Sequence, residues 1–296
     1  MTGQRPNLTR YAWIAIAAAI GTILLKLVAY LITGSVGLLS DAVESITNLF
    51  GAVMALWMLS LAARAADDKH PFGHGKAEYF SSGFEGVLII LAAVGIAVAA
   101  IERIIHPRPL EQVGIGLAVS IAATGVNWVV ARMLVNAGRR YNSITLEADG
   151  RHLFADVATS AGVVAGIGLV AATGWSVLDP IVALLVSANI TWTGITLVRQ
   201  SVDGLMDTVL PKEEQEAIER VMAAFRAKGV EFHDLRTRQA AAHRFIAVHM
   251  LVPGDWTVHD AHHMAEDFEQ ELDQALGGAH ISTHLEPIED ENSFHQ

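Results

Sequence analysis

Cysteine is absent from this 296-residue sequence, and its absence restricts the chemistry that the chain can perform. Without cysteine the chain forms neither a disulfide framework nor a thiolate metal site. Any bound metal must therefore be held by histidine and carboxylate side chains, which suit borderline to hard divalent ions. The sequence offers 13 histidines and 31 acidic residues for that purpose.

Charged residues are also scarce, and basic residues more so than acidic ones. They make up 17% of the chain, against about 25% in a typical soluble domain. The net charge of −11 argues against a nucleic-acid partner, which would require a basic surface. Long apolar runs occupy the first two thirds of the chain, whereas acidic residues and histidines concentrate in the last third. This asymmetry predicts a membrane domain followed by a soluble one.

The sequence motifs of the commonest enzyme classes with which this chain could be confused are missing. There is no H-E-x-x-H pair of a membrane metalloprotease, no nucleophile elbow and no Walker loop. We therefore expect a protein that is not an enzyme and does not use ATP as its energy source. If the protein needs an energy source, a proton gradient is the natural alternative to ATP.

Six apolar segments approach or exceed the roughly 20 residues that a membrane-spanning helix needs. They cover residues 11–32, 36–63, 79–100, 113–135, 144–172 and 177–198. They predict an all-α transmembrane domain of six helices within residues 1–207. Most of the basic residues near the span ends lie in one set of loops, and only Arg103 and Arg108 lie in the other. By the positive-inside rule, this predicts a multi-pass protein of the cell (inner) membrane, with both termini cytoplasmic.

The cytoplasmic tail, residues 208–290, shows the pattern of a small α+β domain. An amphipathic helix over 211–228 precedes two strands, 231–239 and 243–252. Thr257 is expected to cap a second helix that stops near Gly277, and a last strand covers 279–286. The order αββαβ is that of a ferredoxin- or metallochaperone-like domain. Residues 291–296 are expected to form a flexible tail.

Two of the predicted spans carry ionisable residues, which are functional candidates because their burial in lipid is costly. Span two contains Asp41, Glu44 and Asn48, and span five repeats the same spacing. The span-five residues are Asp149, His152 and Asp156. Because the two spans cross the membrane in opposite directions, the repeat is inverted, as in many transporters whose site lies between the repeats.

Four of these residues are predicted to meet near the middle of the membrane. At about 1.5 Å per residue, Glu44 and Asn48 reach the same depth as Asp156 and His152. Four nitrogen and oxygen ligands are the number that a tetrahedral Zn²⁺ site uses. The alternative is a set of ordinary hydrogen bonds between helices. Asp41 and Asp149 lie nearer the span ends, where we expect capping or entrance groups.

The chain resembles the cation diffusion facilitator family, and most closely its bacterial zinc and ferrous-iron efflux members. The resemblance rests on Gly34-Ser35, Leu38-Leu39-Ser40-Asp41-Ala42, the Glu44/Asn48 and His152/Asp156 pairs, Pro71-Phe72-Gly73-His74-Gly75-Lys76-Ala77-Glu78, and Gly204-Leu205-Met206-Asp207. It implies a homodimeric metal/proton antiporter in the lipid bilayer that exports divalent transition metals. In such a protein a divalent ion is both the substrate and a structural or regulatory ligand.

The sequence departs from the family pattern in span two. The usual members have Asp or His followed by Asp, whereas this chain has Glu44 and Asn48. Zn²⁺ is the expected substrate, and Fe²⁺, Mn²⁺, Co²⁺ and Cd²⁺ remain open. The alternative function is a metal-sensing membrane scaffold that has lost transport, which the intact four-residue site argues against.

The resemblance also implies two metal sites outside the membrane. One is in the loop after span two and uses Asp67, His70 and His74. The other, in the C-terminal domain, has five ligands: His233, His249, His262, His284 and Glu286. For each of the two groups, the alternative is a solvated polar surface that binds no metal.

Overall fold

The structure is a computed structural model that describes residues 7–33, 36–106, 115–175 and 177–290. Inside the helices, the side chains of some further residues, Asp41 and Glu44 among them, are also outside the description. The predicted flexible tail, residues 291–296, lies outside the described residues as well. The chain divides into two compact units, one ending at Val202 and the other beginning at Asp203.

Six long helices lie where the six spans were predicted. They are α1 (Thr9–Thr33), α2 (Val36–Ala62), α3 (Ala77–Ile105), α4 (Ile115–Tyr141), α5 (Ile144–Thr173) and α6 (Leu178–Leu205). Among the described residues, three stretches are long and apolar enough to cross a membrane: Thr9–Ala29, Ala77–Ile105 and Pro180–Leu205. The first half of α5 is less apolar because it contains several charged residues.

The helical unit exposes large apolar side chains and buries some ionisable ones. Large apolar side chains such as Leu31, Trp57 and Trp192 are exposed. In contrast, Glu78 and Glu85 are completely buried. A soluble domain shows the opposite arrangement, and an exposed apolar belt of this kind fits a lipid environment.

Small residues allow the helices of this unit to approach closely. Ala12, Ala15, Ala52 and Ala131 pack in the core shared by α1, α2, α4 and α5. A Cβ atom at Gly150 of α5 would come within 2.9 Å of the carbonyl oxygen of Ala131 on α4. Such contacts between small residues are the usual means by which membrane helices pack.

The second unit has the predicted αββαβ order. It consists of α7 (Lys212–Arg226), β1 (Glu231–Ala240), β2 (His243–Val252), α8 (Val258–Leu276) and β3 (His280–Pro287). β2 is the central strand, antiparallel to β1 and parallel to β3. Buried apolar residues from α7 and α8, including Phe225 and Phe268, pack with those of the sheet.

The beginning and end of α8 confirm the predicted capping. The Thr257 hydroxyl accepts the backbone N–H of Asp260 at 3.2 Å and donates to the Asp260 carboxylate at 2.6 Å. The helix ends at Gly277, whose φ of 67° lies in the left-handed region that glycine adopts without steric strain.

Candidate metal centres

The first candidate site lies between α2 and α5. The Asn48 amide nitrogen donates to Asp156 Oδ2 at 2.5 Å, and Asn48 Oδ1 lies 2.9 Å from His152 Nε2. Asn48 and His152 are buried, whereas Asp156 is half-buried. Three of the four predicted residues therefore meet. The fourth, Glu44, lies one turn before Asn48 on α2, and its side chain is outside the described residues.

The four-residue spacing on each helix explains why these side chains share one face. Residues four apart on an α-helix lie one above the other, so His152 and Asp156 both face α2. Leu153 and Ala52 pack in the apolar cluster that joins the same two helices. The hydrogen bonds of Asn48 thus connect two side chains that are neighbours on α5.

Asp149, which was expected to be a capping or entrance group, is buried. It is only 2% exposed. It lines a small cavity together with Asn48, Asn127 of α4 and three alanines of α1. Although α5 begins only five residues before Asp149, its first turns pack against α4, so they are already inside the helical unit.

Glu85 on α3 also lies beside the first candidate site, although it belongs to none of the sequence motifs. Its side chain is completely buried, and its Oε2 atom lies 3.4 Å from His152 Nδ1. A carboxylate within predicted span three is itself an unusual feature of an apolar segment. That signal was available in the sequence, but no partner motif drew attention to it.

The second candidate site is in the loop between α2 and α3. The Asp67 carboxylate accepts the backbone N–H groups of Lys69 at 2.9 Å and His70 at 2.7 Å. The hydrogen bond from the His70 backbone is the main cause that lowers the pKa of Asp67. Gly73, with φ of 81°, makes the turn that returns the chain towards His74. The site thus combines a carboxylate that is charged at neutral pH with two imidazoles.

The three predicted residues of this loop come together. Asp67 Oδ1 lies 3.2 Å from His70 Nδ1, and Asp67 Oδ2 lies 3.5 Å from His74 Nε2. One ligand atom from each residue lies within 4.8 Å of the other two, so a single ion can contact all three.

The third candidate site lies on the sheet of the second unit. The strand register places His233 opposite His249, and His249 beside His284. Glu286, two residues further along β3, is on the same face of the sheet as His284. Its Oε2 lies 2.8 Å from His233 Nε2, and its Oε1 lies 3.0 Å from His249 Nδ1. These three side chains have ligand atoms within 4.8 Å of one another.

The two remaining predicted ligands of the third site differ in position. His284 Nε2 is 3.5 Å from Glu286 Oε1, although its side chain is 65% exposed. His262 is not brought to the group. It lies on α8 beside Glu266 with its side chain 62% exposed. The reason is that α8 packs through its apolar face, which includes Ala261 and Phe268, and His262 points away from that face.

Asp234 is near the third site and was not predicted. A bulge between His233 and Arg236 interrupts the β1–β2 pairing, and Asp234 adopts a left-handed φ of 47° there. Its carboxylate lies 3.8 Å from His249 Nε2. An irregularity of this kind is not visible in the alternation of residues along the strand.

Comparison with known proteins agrees with both units. Residues 12–206 match the cation efflux transmembrane domain, and residues 210–288 match the cytoplasmic domain of cation efflux proteins. An uncharacterised transporter of Synechocystis sp. is 51% identical over 284 residues, covering 96% of this chain and 92% of its own. The cation-efflux pump FieF of Salmonella arizonae is 30% identical over 280 residues, covering 94% and 92% respectively.

Solved structures that resemble this chain in sequence include the zinc form of CzrB, which is described as a candidate zinc transporter. It is 36% identical to this chain and covers 28% of it and 94% of its own length, with a TM-score of 0.25. A TM-score this low does not bear on the fold of the whole chain.

The chain is thus a membrane transporter, because its helical unit and its second unit both match domains of a transporter family. It belongs to the cation efflux family, the cation diffusion facilitators, as its motifs indicated. Cation efflux is the activity that this membership establishes.

Proposed function

We propose that this transporter exports Zn²⁺ from the cytoplasm in exchange for protons, with Glu44, Asn48, His152 and Asp156 as its transport site. The observation that carries the proposal is the buried contact among Asn48, His152 and Asp156 between α2 and α5. Polar and ionisable side chains are costly inside an apolar unit, so their convergence from two helices supports a functional site.

The ligand set favours zinc without excluding its neighbours. One imidazole nitrogen with carboxylate and amide oxygens is a set that tetrahedral Zn²⁺ accepts. Oxygen-rich sites also suit Fe²⁺, Mn²⁺, Co²⁺ and Cd²⁺ to differing degrees, so selectivity depends on the neutral amide of Asn48. In the ion-free site that amide donates to Asp156. An arriving ion must replace this hydrogen bond.

Exchange with protons follows from the ligand chemistry. A metal ion binds imidazole and carboxylate in their deprotonated forms, so binding releases protons and proton uptake favours release of the ion. His152 is the ligand whose ordinary pKa lies closest to physiological pH. The chain has no nucleotide-binding motif, and the proton gradient is the energy source that this site can use.

The two cytoplasmic sites are proposed to regulate transport. Our proposed orientation places the Asp67 loop and the whole second unit in the cytoplasm, where their ligands can sense the substrate ion. Acidic residues outnumber basic ones in the second unit, so two copies in a homodimer repel each other over a Debye length of about 8 Å. Metal bound by His233, His249 and Glu286 would reduce that repulsion.

Reconstituted vesicles provide the test. The full chain would be placed in proteoliposomes with a metal-sensitive dye, and a pH gradient applied while Zn²⁺, Fe²⁺, Mn²⁺, Co²⁺ and Cd²⁺ are compared. We expect gradient-dependent zinc transport by the parent and none by His152→Ala, with both dimeric and folded. Thr159→Ala is the matched control, because its hydroxyl is bonded to the backbone of its own helix at 2.9 Å.

Transport by His152→Ala at the parent rate would overturn the site assignment. Metal binding without any transport by the parent would favour the metal-sensing scaffold instead.

A further inference from the structure

Glu85 is an acidic side chain in the interior of the helical unit for which the proposed transport site has no role so far. It is 0% exposed. Neither carboxylate oxygen has a hydrogen bond to any residue that the structure describes. Its ion-pair contact is with His152, whose Nδ1 lies 3.4 Å from Oε2. A buried carboxylate without hydrogen bonds is costly, so its retention calls for a function.

The space occupied by Glu85 depends on a glycine of α2. A Cβ atom at Gly51 would lie 2.4 Å from Glu85 Oε1. The carboxylate is the flexible end of its side chain, so it would be displaced before either helix moved. The glycine therefore permits the carboxylate to reach His152 from α3, close to the α2 surface that carries Asn48.

The imidazole of His152 has different neighbours at its two nitrogens. Nε2 donates to Asn48 Oδ1 at 2.9 Å, because the amide nitrogen of Asn48 is the group that donates to Asp156, and Nδ1 faces Glu85. A metal ion that binds at Nε2 takes the place of this proton. A neutral imidazole carries a proton on one nitrogen and a lone pair on the other, and only the lone pair binds a metal ion. The hydrogen bond made by one nitrogen decides which role the other takes.

We propose that Glu85 is a positioning residue of the transport site. By closing its 3.4 Å contact with His152 Nδ1 it accepts the proton of that nitrogen, and it thereby presents Nε2 to the transported ion. This inference rests on the proposed function. Carboxylates that hold ligand histidines in this way also make the imidazole a stronger ligand. The contribution is important here because position 48 provides a neutral amide instead of a carboxylate.

The test uses substitutions that separate orientation from folding. Glu85→Met removes the acceptor while keeping a side chain of similar length, and Glu85→Gln keeps an acceptor oxygen without charge. Gly51→Ala leaves Glu85 in place but displaces its carboxylate. Ser81→Ala is the control, since Ser81 is a buried polar residue one turn earlier on α3 whose hydroxyl has no hydrogen bond in the described part of the chain.

Zinc affinity would be measured by calorimetry on the full chain in detergent, with His152→Ala defining the heat that comes from the transport site. We expect Glu85→Met to weaken zinc binding at that site about 10- to 100-fold, the range typical for loss of a residue that orients a metal ligand. Gly51→Ala should also weaken zinc binding at that site, and Glu85→Gln should lose less of the zinc affinity than Glu85→Met. The melting temperature should stay level or rise, because apolar replacement of a buried charge is often neutral or stabilising.

Several results would overturn the proposal. Parental affinity in a folded Glu85→Met would do so. So would a loss of affinity that only accompanies a lower melting temperature, since that would indicate a purely structural role. If Glu85→Met fails to fold, parental affinity in both Glu85→Gln and Gly51→Ala is the contrary outcome. Zinc binding and transport by His152→Ala at parental levels would instead contradict the proposed transport site itself.

Discussion

Replacing Asn48 by Asp changes one amide to a carboxylate in the middle of the transport site. The amide now donates to Asp156 Oδ2 at 2.5 Å, and an aspartate cannot donate that hydrogen bond when ionised. In the ion-free protein, two carboxylates would then face each other. A divalent ion would be attracted by both, so the substitution should strengthen zinc binding at the expense of the ion-free state.

The magnitude follows from the short distance. Two unit charges 4 Å apart repel by about 4 kcal/mol at an effective dielectric constant of about 20. Side-chain movement, water and proton uptake relieve much of this repulsion, so we expect about 1.4–3 kcal/mol to appear as increased affinity. Since about 1.4 kcal/mol is a factor of ten, zinc should bind roughly 10- to 100-fold more tightly.

Calorimetry of Asn48→Asp and the parent would measure the affinity, and stopped-flow transport would measure release. We expect slower transport at saturating zinc because a tighter site releases its ion more slowly. The ion-free melting temperature should fall and recover when zinc is added. Asn127→Asp is the matched control, because Asn127 of α4 lines the same small cavity as Asn48 but is not one of the proposed ligands. It should change the affinity by less than about threefold. Unchanged affinity in Asn48→Asp would show that residue 48 does not contact the ion.

Three further predictions concern the loop between α2 and α3 and the second unit. Asp67→Ala should remove one class of zinc sites in calorimetry while transport continues, because Asp67 contacts both loop histidines; retention of that class would contradict the loop site. Thr257→Ala should destabilise the second unit by about 1 kcal/mol in urea unfolding. The hydrogen bond with Thr257 lowers the pKa of Asp260. The ionised Asp260 carboxylate therefore stabilises the folded second unit above its ordinary pKa, and this stabilisation is lost as pH falls through the lowered value. Changing His249 and His284 together to Ala should weaken activation by cytoplasmic metal in stopped-flow transport, and complete loss of transport would contradict the regulatory role.

The order of elements could be predicted from the sequence because it depends on local patterns. Apolar runs of about 20 residues and the alternation in the tail indicated the six helices and the αββαβ order. The Glu44/Asn48 and His152/Asp156 pairs were also recognisable, since residues four apart share a helix face whatever the tertiary structure. The sequence also placed His233 and His249 on neighbouring strands, but their direct pairing depends on the bulge between His233 and Arg236, which shifts the register by one residue.

Contacts between elements that lie far apart in the chain could not be predicted in this way. The approach of Glu85 to His152 depends on how α3 is rotated and how closely it packs, and Gly51 permits it only because both helices are in place. His262 shares a helix with many polar residues, and only the packing of α8 shows that its side chain is left exposed beside Glu266.

What the sequence by itself determined is therefore the set of elements, the family and the candidate residues of the transport site. The tertiary structure decided which side chains touch. It buried Asp149, placed Asp234 beside His249 through a bulge, and brought the Glu85 carboxylate to Nδ1 of the His152 ring. The physical reason is that helix and strand periodicity fix the face on which a residue lies, whereas the packing of one element on another fixes what that face meets.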